Sequence, residues 1–150
     1  AREYGVSTRF IELAGEINTA MPDFVVQRVM EVLNEYGKAL KGSRILMLGL
    51  AYKANVDDDR ESPSYHLMDK LEEKGATVSY NDPYVPVIRP TREWSKFVGR
   101  TSVEVGKDYD VILIATPHDD YRKIDFVALN VPVVDTRHVA DSALTNVYAA

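Results

Sequence analysis

Short, almost unbroken apolar runs constrain this chain more than any other feature of its sequence. Ile45-Leu46-Met47-Leu48-Gly49-Leu50 holds no polar side chain and is bounded by Gly and polar residues. A run this short, without the alternation of a half-wet strand, predicts a strand buried on both faces. Asp110-Val111-Ile112-Leu113-Ile114-Ala115, apolar after its first residue, and Val131-Pro132-Val133-Val134-Asp135 read the same way. Thr77 to Tyr80 predicts another strand, closed by Asn81-Asp82-Pro83. Before it, Ser62-Pro63 supplies an N-cap and a proline at the first helical position, Leu67, Met68 and Leu71 an apolar stripe, and Gly75 a stop. Strand, helix, strand, then further buried strands between polar connections specify an α/β fold. The expectation is an open, mostly parallel Rossmann-like sheet flanked by helices.

In front of this sheet, from about Arg9 to Tyr36, the pattern is helical. Val25, Val26, Val29, Met30, Val32, Leu33 and Tyr36 share one broad side, opposite Gln27, Glu31, Asn34 and Glu35. Pro22 makes the segment two helices or one kinked helix, and its full length would run roughly 40 Å. The expected division is a helical arm over residues 1–40 and a domain over 41–150. The arm is a candidate interface, with an ordinary helix packed on its own domain as the competing arrangement. A less regular stretch after Pro83 holds the only tryptophan, Trp94.

Composition narrows the chemistry. At 150 residues the chain is long enough for one domain with a real core. A formal net charge of −5 argues against nucleic-acid binding by bulk charge. Zero cysteine excludes disulfides, thiolate metal sites and any cysteine nucleophile supplied by this chain, and fits a reducing cytoplasm. No apolar run reaches the length of a membrane span, and no signal peptide opens the sequence. The start on Ala1 reads as a processed chain or one cut from something longer.

In an open parallel sheet, ligands bind beyond the carboxyl ends of the strands, near the reversal of strand order. The loop after the first strand carries neither G-x-G-x-x-G nor a P-loop, which argues against a whole dinucleotide held in the usual way. It does carry Tyr52 and Lys53 just past the strand and Arg60 just before a helix start. Cations beside exposed N–H groups suit phosphate, and Tyr52 suits stacking on a planar ring. Arg137, directly after the last apolar run, would emerge at the same sheet edge, where Lys and Arg together suit a diphosphate. The competing arrangements are solvated side chains for Tyr52, Lys53 and Arg137, and for Arg60 a salt bridge to Asp57-Asp58-Asp59. That acidic run could hold Mg²⁺ as in a phosphoacceptor site, although consecutive residues point apart. His118-Asp119-Asp120 could be a general base with an orienting carboxylate or a polar helix start. His66, His118 and His138 are too scattered for a metal motif.

Leu48-Gly49-Leu50-Ala51-Tyr52-Lys53-Ala54-Asn55 followed by Asp58-Asp59-Arg60-Glu61-Ser62-Pro63 resembles the signature that opens the C-terminal domain of the UDP-glucose/GDP-mannose dehydrogenase family. Tyr80-Asn81-Asp82-Pro83 resembles that family's turn after the second strand, and Val134-Asp135-Thr136-Arg137 its D-x-R ending. Ala14 to Asn18 resembles the start of its central dimerisation helix, and Phe10 to Asn18 is most similar to the UDP-N-acetylglucosamine 6-dehydrogenase branch. The resemblance implies a parent enzyme that oxidises C6 of a UDP-sugar from alcohol to carboxylate with two NAD⁺, through a catalytic cysteine. By position it implies that Tyr52, Lys53 and Arg137 contact the UDP-sugar substrate and that Arg60 reaches the NAD phosphates. His138 stands where the family commonly has Asn or Arg. The cysteine and the glycine-rich NAD loop would lie upstream of this sequence, so the chain alone would be inactive.

Two other readings remain open on the sequence: a stand-alone flavodoxin-like regulatory, receiver or nucleotide-binding module, and a purely structural dimerisation module. The leading expectation is a cytoplasmic UDP-sugar-binding fragment that forms a homodimer through its N-terminal helix, with neither nucleic acid nor membrane as a partner.

Overall fold

Every strand pairing in the computed structural model, which describes residues 21–60 and 62–150, is parallel. The elements follow the chain as α1 (residues 21–35), β1 (Arg44–Leu48), α2 (Pro63–Glu73), β2 (Thr77–Asn81), β3 (Val111–Ile114), α3 (Phe126–Leu129), β4 (Val133–Asp135) and β5 (Val147–Ala149). The sheet order is β2-β1-β3-β4-β5. The chain therefore leaves β1 toward one edge through α2, then returns past β1 to lay down β3 on its other side. That reversal between β1 and β3 is the position at which doubly wound sheets build ligand sites. The expected α/β Rossmann-like sheet is what forms.

Strand ends follow local chemistry. β1 stops at Leu48 rather than Leu50 because Gly49 turns the chain out of the sheet at φ +103°. β4 starts at Val133 rather than Val131, since Pro132 has no N–H for the ladder and offers only its carbonyl, to Ile112 N. β5 was not expected at all. It is a three-residue, half-exposed edge strand recruited by β4, and its sequence carries no buried run.

Alternation along the strands divides the core in two. Ile45, Met47, Val78, Val111 and Leu113 face the side covered by α1 and α2. Leu46, Leu48, Ile112, Ile114 and Val133 face the side covered by Tyr121, Phe126 and Val139. Val25, Val26, Val29, Val32 and Leu33 bury the apolar side of α1 in the first of these clusters. Met30 and Tyr36, expected on the same side, lie at its margin and are 39% and 43% exposed. Arg28 Nε donates to Ala149 O at 2.9 Å and the Tyr36 and Tyr148 hydroxyls meet at 3.0 Å, fastening α1 across the β5 edge. After Pro22 the described helix is unbroken to residue 35. The remainder of the expected arm, including Ala14 to Asn18, lies outside the described residues.

The start of α2 is set as its sequence predicts. Ser62 Oγ accepts the Ser64 N–H at 3.2 Å, Pro63 occupies the first turn, and Gly75 follows the end in a left-handed conformation. The irregular stretch after β2 is anchored by aromatic packing, with Trp94 and Phe97 stacked near Tyr65. Among the described residues no helix is long and apolar enough to cross a membrane.

Candidate functional site

The loop leaving β1 is shaped by one glycine and one buried carboxylate. A Cβ on Gly49 would stand 2.3 Å from Thr116 Cβ, so only glycine lets the exits of β1 and β3 run side by side. Asp82, wholly buried at the end of β2, accepts the Leu50 and Ala51 N–H groups on Oδ2 at 2.7 and 2.9 Å. Its Oδ1 accepts the Tyr84 N–H at 2.8 Å, and His118 Nε2 stands 3.0 Å from Oδ2. Burial by itself would raise this carboxyl, but the bonds from His118, Leu50, Ala51 and Tyr84 together hold it below the ordinary carboxylate range. Thr116 Oγ1 adds a bond to Ala51 O at 3.0 Å.

At the far end of the loop Asn55, at φ +61°, donates its N–H to His118 Nδ1 at 2.8 Å and accepts the Asp119 N–H on Oδ1 at 3.0 Å. Between these two anchorages the chain bulges outward, leaving Tyr52 57% exposed and Lys53 exposed beside it. The Tyr52 N–H is bonded to Asp58 O at 2.6 Å, so the bulge is fixed although its side chains face solvent.

Arg137 reaches the same sheet edge by a similar device. Asp135, buried at the end of β4, accepts the Arg137 N–H at 3.1 Å and the Ala140 N–H at 2.8 Å. Thr136 Oγ1 donates to Ile114 O at 2.7 Å. The turn completes through His138 at φ +57°, a left-handed position that asparagine and histidine tolerate better than most residues. The Arg137 side chain is thereby presented to solvent from a fixed backbone. Among the described residues neither Lys53 nor Arg137 has an ion-pair partner. They rise from strands separated only by β3, about 10 Å apart at the level of the sheet.

Arg60 takes the competing arrangement named from sequence. Its Nε and Nη2 donate to Asp58 at 3.1 and 3.3 Å, and these bonds hold the Asp58 carboxyl below its usual range. The pair is solvent-facing, with the Arg60 side chain 86% exposed. The acidic run does not converge. Asp59 is buried, accepting the Tyr65 hydroxyl and Arg89 Nη2, while Arg89 also donates to Asp57 O at 2.7 Å. No three acidic or imidazole groups among the described residues are placed to hold a metal. A cleft of about 500 Å³ opens beside this cluster, lined by Asp58, Arg60, Tyr65, Arg89 and Trp94 among others. Tyr52, Lys53 and Arg137 do not line it.

Of the two arrangements open for His118-Asp119-Asp120, the structure takes the helix start, a short 3-10 turn over Asp119–Lys123, and not the general base. The ring is wholly buried, paired with Asp82 rather than with exposed Asp119 or Asp120, and enclosed by the rings of Tyr84 and Tyr121 at 4.8 and 5.4 Å. Both ring nitrogens are occupied, so no substrate proton can reach it. The turn after β1 does not suit NAD either. Besides lacking the glycine fingerprint, it spends the Leu50 and Ala51 N–H groups, the natural diphosphate donors of such a turn, on Asp82. Asp82 in turn has no exposure left with which to meet a ribose.

Sequence reasoning missed the Asp82–His118 pair and the Arg89–Asp59–Tyr65 group. Their partners lie between 6 and 36 residues apart. The only signal was an Asp and a His each placed just after an apolar strand.

A parallel sheet of order 2-1-3-4-5 with exposed cations on fixed turns at its carboxyl edge defines a doubly wound nucleotide-binding domain. The family is a specific one. Residues 46–142 match the model of the UDP-glucose/GDP-mannose dehydrogenase family, UDP binding domain, and the chain belongs to that family. It is 35% identical over 118 residues to a UDP-N-acetyl-D-mannosamine dehydrogenase of Methanococcus maripaludis, a match spanning 79% of this chain and 26% of that protein. It is 30% identical over 133 residues to an NDP-N-acetyl-D-galactosaminuronic acid dehydrogenase of Ralstonia nicotianae, spanning 87% of this chain and 30% of that protein. The crystal structure of NDP-N-acetyl-D-galactosaminuronic acid dehydrogenase from Methanosarcina mazei superposes with a TM-score of 0.77 at 27% identity, over 92% of this chain and 30% of that one. These relatives carry the names of N-acetylated mannosamine and galactosaminuronic acid, a slightly different branch from the UDP-N-acetylglucosamine one expected from Phe10 to Asn18. The chain spans about a quarter to a third of the relatives it matches.

Proposed function

We propose that this chain is the UDP-sugar-binding part of an NAD-dependent UDP-sugar 6-dehydrogenase. The observation that carries the reading is the pair of exposed cations, Lys53 and Arg137, without ion-pair partners among the described residues, at the carboxyl edge of a UDP-binding family domain. Lys53 offers a point charge and Arg137 a planar fork, and a diphosphate accepts both. Tyr52 lies against the base or sugar. Arg60 exchanges Asp58 for a phosphate of an NAD held by another part of the enzyme, since the turn after β1 does not suit that cofactor. Bound there, NAD would supply the hydride acceptor. The residues of this chain bind and orient the sugar nucleotide and take no part in bond making. With no cysteine nucleophile in it, the chain by itself performs no oxidation. A homodimer through the N-terminal helix and a cytoplasmic location belong to the same reading.

The receiver alternative is disfavoured by where the acidic run spends its oxygens, on Arg60, Arg89 and Tyr65. Calorimetry with UDP tests the proposal. Wild-type chain is expected to bind, and Lys53→Ala with Arg137→Ala to lose affinity by at least about 100-fold, from about 1.5–3 kcal/mol for each charged hydrogen bond. The melting temperature should not change, because both side chains are exposed. Unchanged UDP affinity in the double variant rejects the site.

A further inference from the structure

The span bearing Tyr52 and Lys53 has no helix or strand of its own, so its shape comes from the Tyr52 N–H bond to Asp58 O within it and from what ties down its ends. At the start, Leu50 N and Ala51 N are held by Asp82 Oδ2. At the end, Asn55 N is held by His118 Nδ1. Because the Asn55 N–H is a donor, Nδ1 must be the bare nitrogen, and the ring hydrogen is then on Nε2, donated to Asp82 Oδ2 at 3.0 Å. One wholly buried pair therefore closes a ring of contacts from Leu50 to Asn55, around the part of the loop that bears Tyr52 and Lys53. Tyr52 and Lys53 stand on the solvent side of that ring. The Asn55 conformation at φ +61° and its bond from Asp119 N fit the same latch.

We propose that His118 is a positioning residue for Lys53: a neutral imidazole, protonated on Nε2, that latches the loop between β1 and α2 in the shape that receives a nucleoside diphosphate. The inference rests on the UDP-binding reading above for what the loop receives, while the latch itself rests on Asp82, His118 and Asn55.

Two substitutions of similar severity separate a latch from a space-filling ring. His118→Asn places an amide oxygen near the former Nδ1 and can still accept the Asn55 N–H, but it no longer reaches Asp82. His118→Gln reaches Asp82 with its amide and leaves the Asn55 N–H without an acceptor. In calorimetry with UDP, His118→Gln is expected to weaken binding about tenfold and His118→Asn by no more than about threefold. Space filling gives the opposite order, since Gln is nearer to His in size, and that order overturns the proposal. Nitrogen chemical shifts of His118 and hydrogen exchange of the Asn55 amide in the wild-type chain decide the latch even if both variants unfold. A bare Nδ1 and a protected Asn55 amide are expected, and a protonated Nδ1 or an unprotected amide overturns it. Failure of the wild-type chain to bind UDP counts against the UDP reading alone, since these two measurements decide the latch without UDP.

Discussion

Gly49 and Asp82 show how single residues set the exit from β1. Gly49 adopts φ +103°, and its missing Cβ leaves room for Thr116. Gly49→Ala adds backbone strain and an overlap with a buried side chain, so a loss of about 3 kcal/mol is expected in urea denaturation. Asp82 accepts four hydrogen bonds with no exposure to water. An amide in its place must turn an N–H toward one of those donors, and Asp82→Asn should cost about 3 kcal/mol at neutral pH. The folded carboxyl lies below its ordinary value, so its stabilisation is present above the unfolded value near pH 4 and is lost as pH falls through the folded one. Thermal melts of the wild type should therefore fall in acid below about pH 4 more steeply than those of Asp82→Asn. The apolar run reads through Gly49 to Leu50, so the turn at Gly49 emerges only where Thr116 lies beside it. The load on Asp82 was not legible in the sequence either, because His118 lies 36 residues away and nothing local pairs them.

Among the elements, α2 is the most self-sufficient. Its cap, first-turn proline and glycine stop are all local, which is why they could be read directly from Ser62, Pro63 and Gly75. Ser62→Ala removes the oxygen that accepts the Ser64 N–H and should destabilise the chain by about 1 kcal/mol, measured by chemical denaturation. β5 is the opposite case. Val147–Ala149 has no apolar run and becomes a strand only because β4 presents an open edge. α1 stands between them. Its stripe was visible, but which part of it would be covered was not, and the core covers Val29 and Leu33 while leaving Met30 39% and Tyr36 43% exposed.

For the whole molecule, the order 2-1-3-4-5 gives the site its place. The reversal between β1 and β3 brings the loop carrying Lys53 against the β3 exit. β4 then delivers Arg137 two strands away, so residues 84 positions apart in sequence share one edge. Thr116 and His118, on the β3 exit that lies between them, are buried and bonded to Ala51, Asn55 and Asp82. The 500 Å³ cleft lies elsewhere, beside Arg60 and Trp94, and concavity alone would have pointed away from Lys53 and Arg137.

The sequence by itself determined the α/β class, the strands buried on both faces, both ends of α2 and the family motif with its cations. Each is written in neighbouring residues: apolar runs, a Ser-Pro start, and Tyr52-Lys53 just past a strand. Only the tertiary structure decided the sheet order, the recruitment of β5, the pairing of Arg89 with Asp59 and the burial that removes His118 from acid–base work. Those outcomes depend on groups remote in the chain competing for one another's hydrogen bonds and on how much water remains beside them. Local pattern carries no record of that competition.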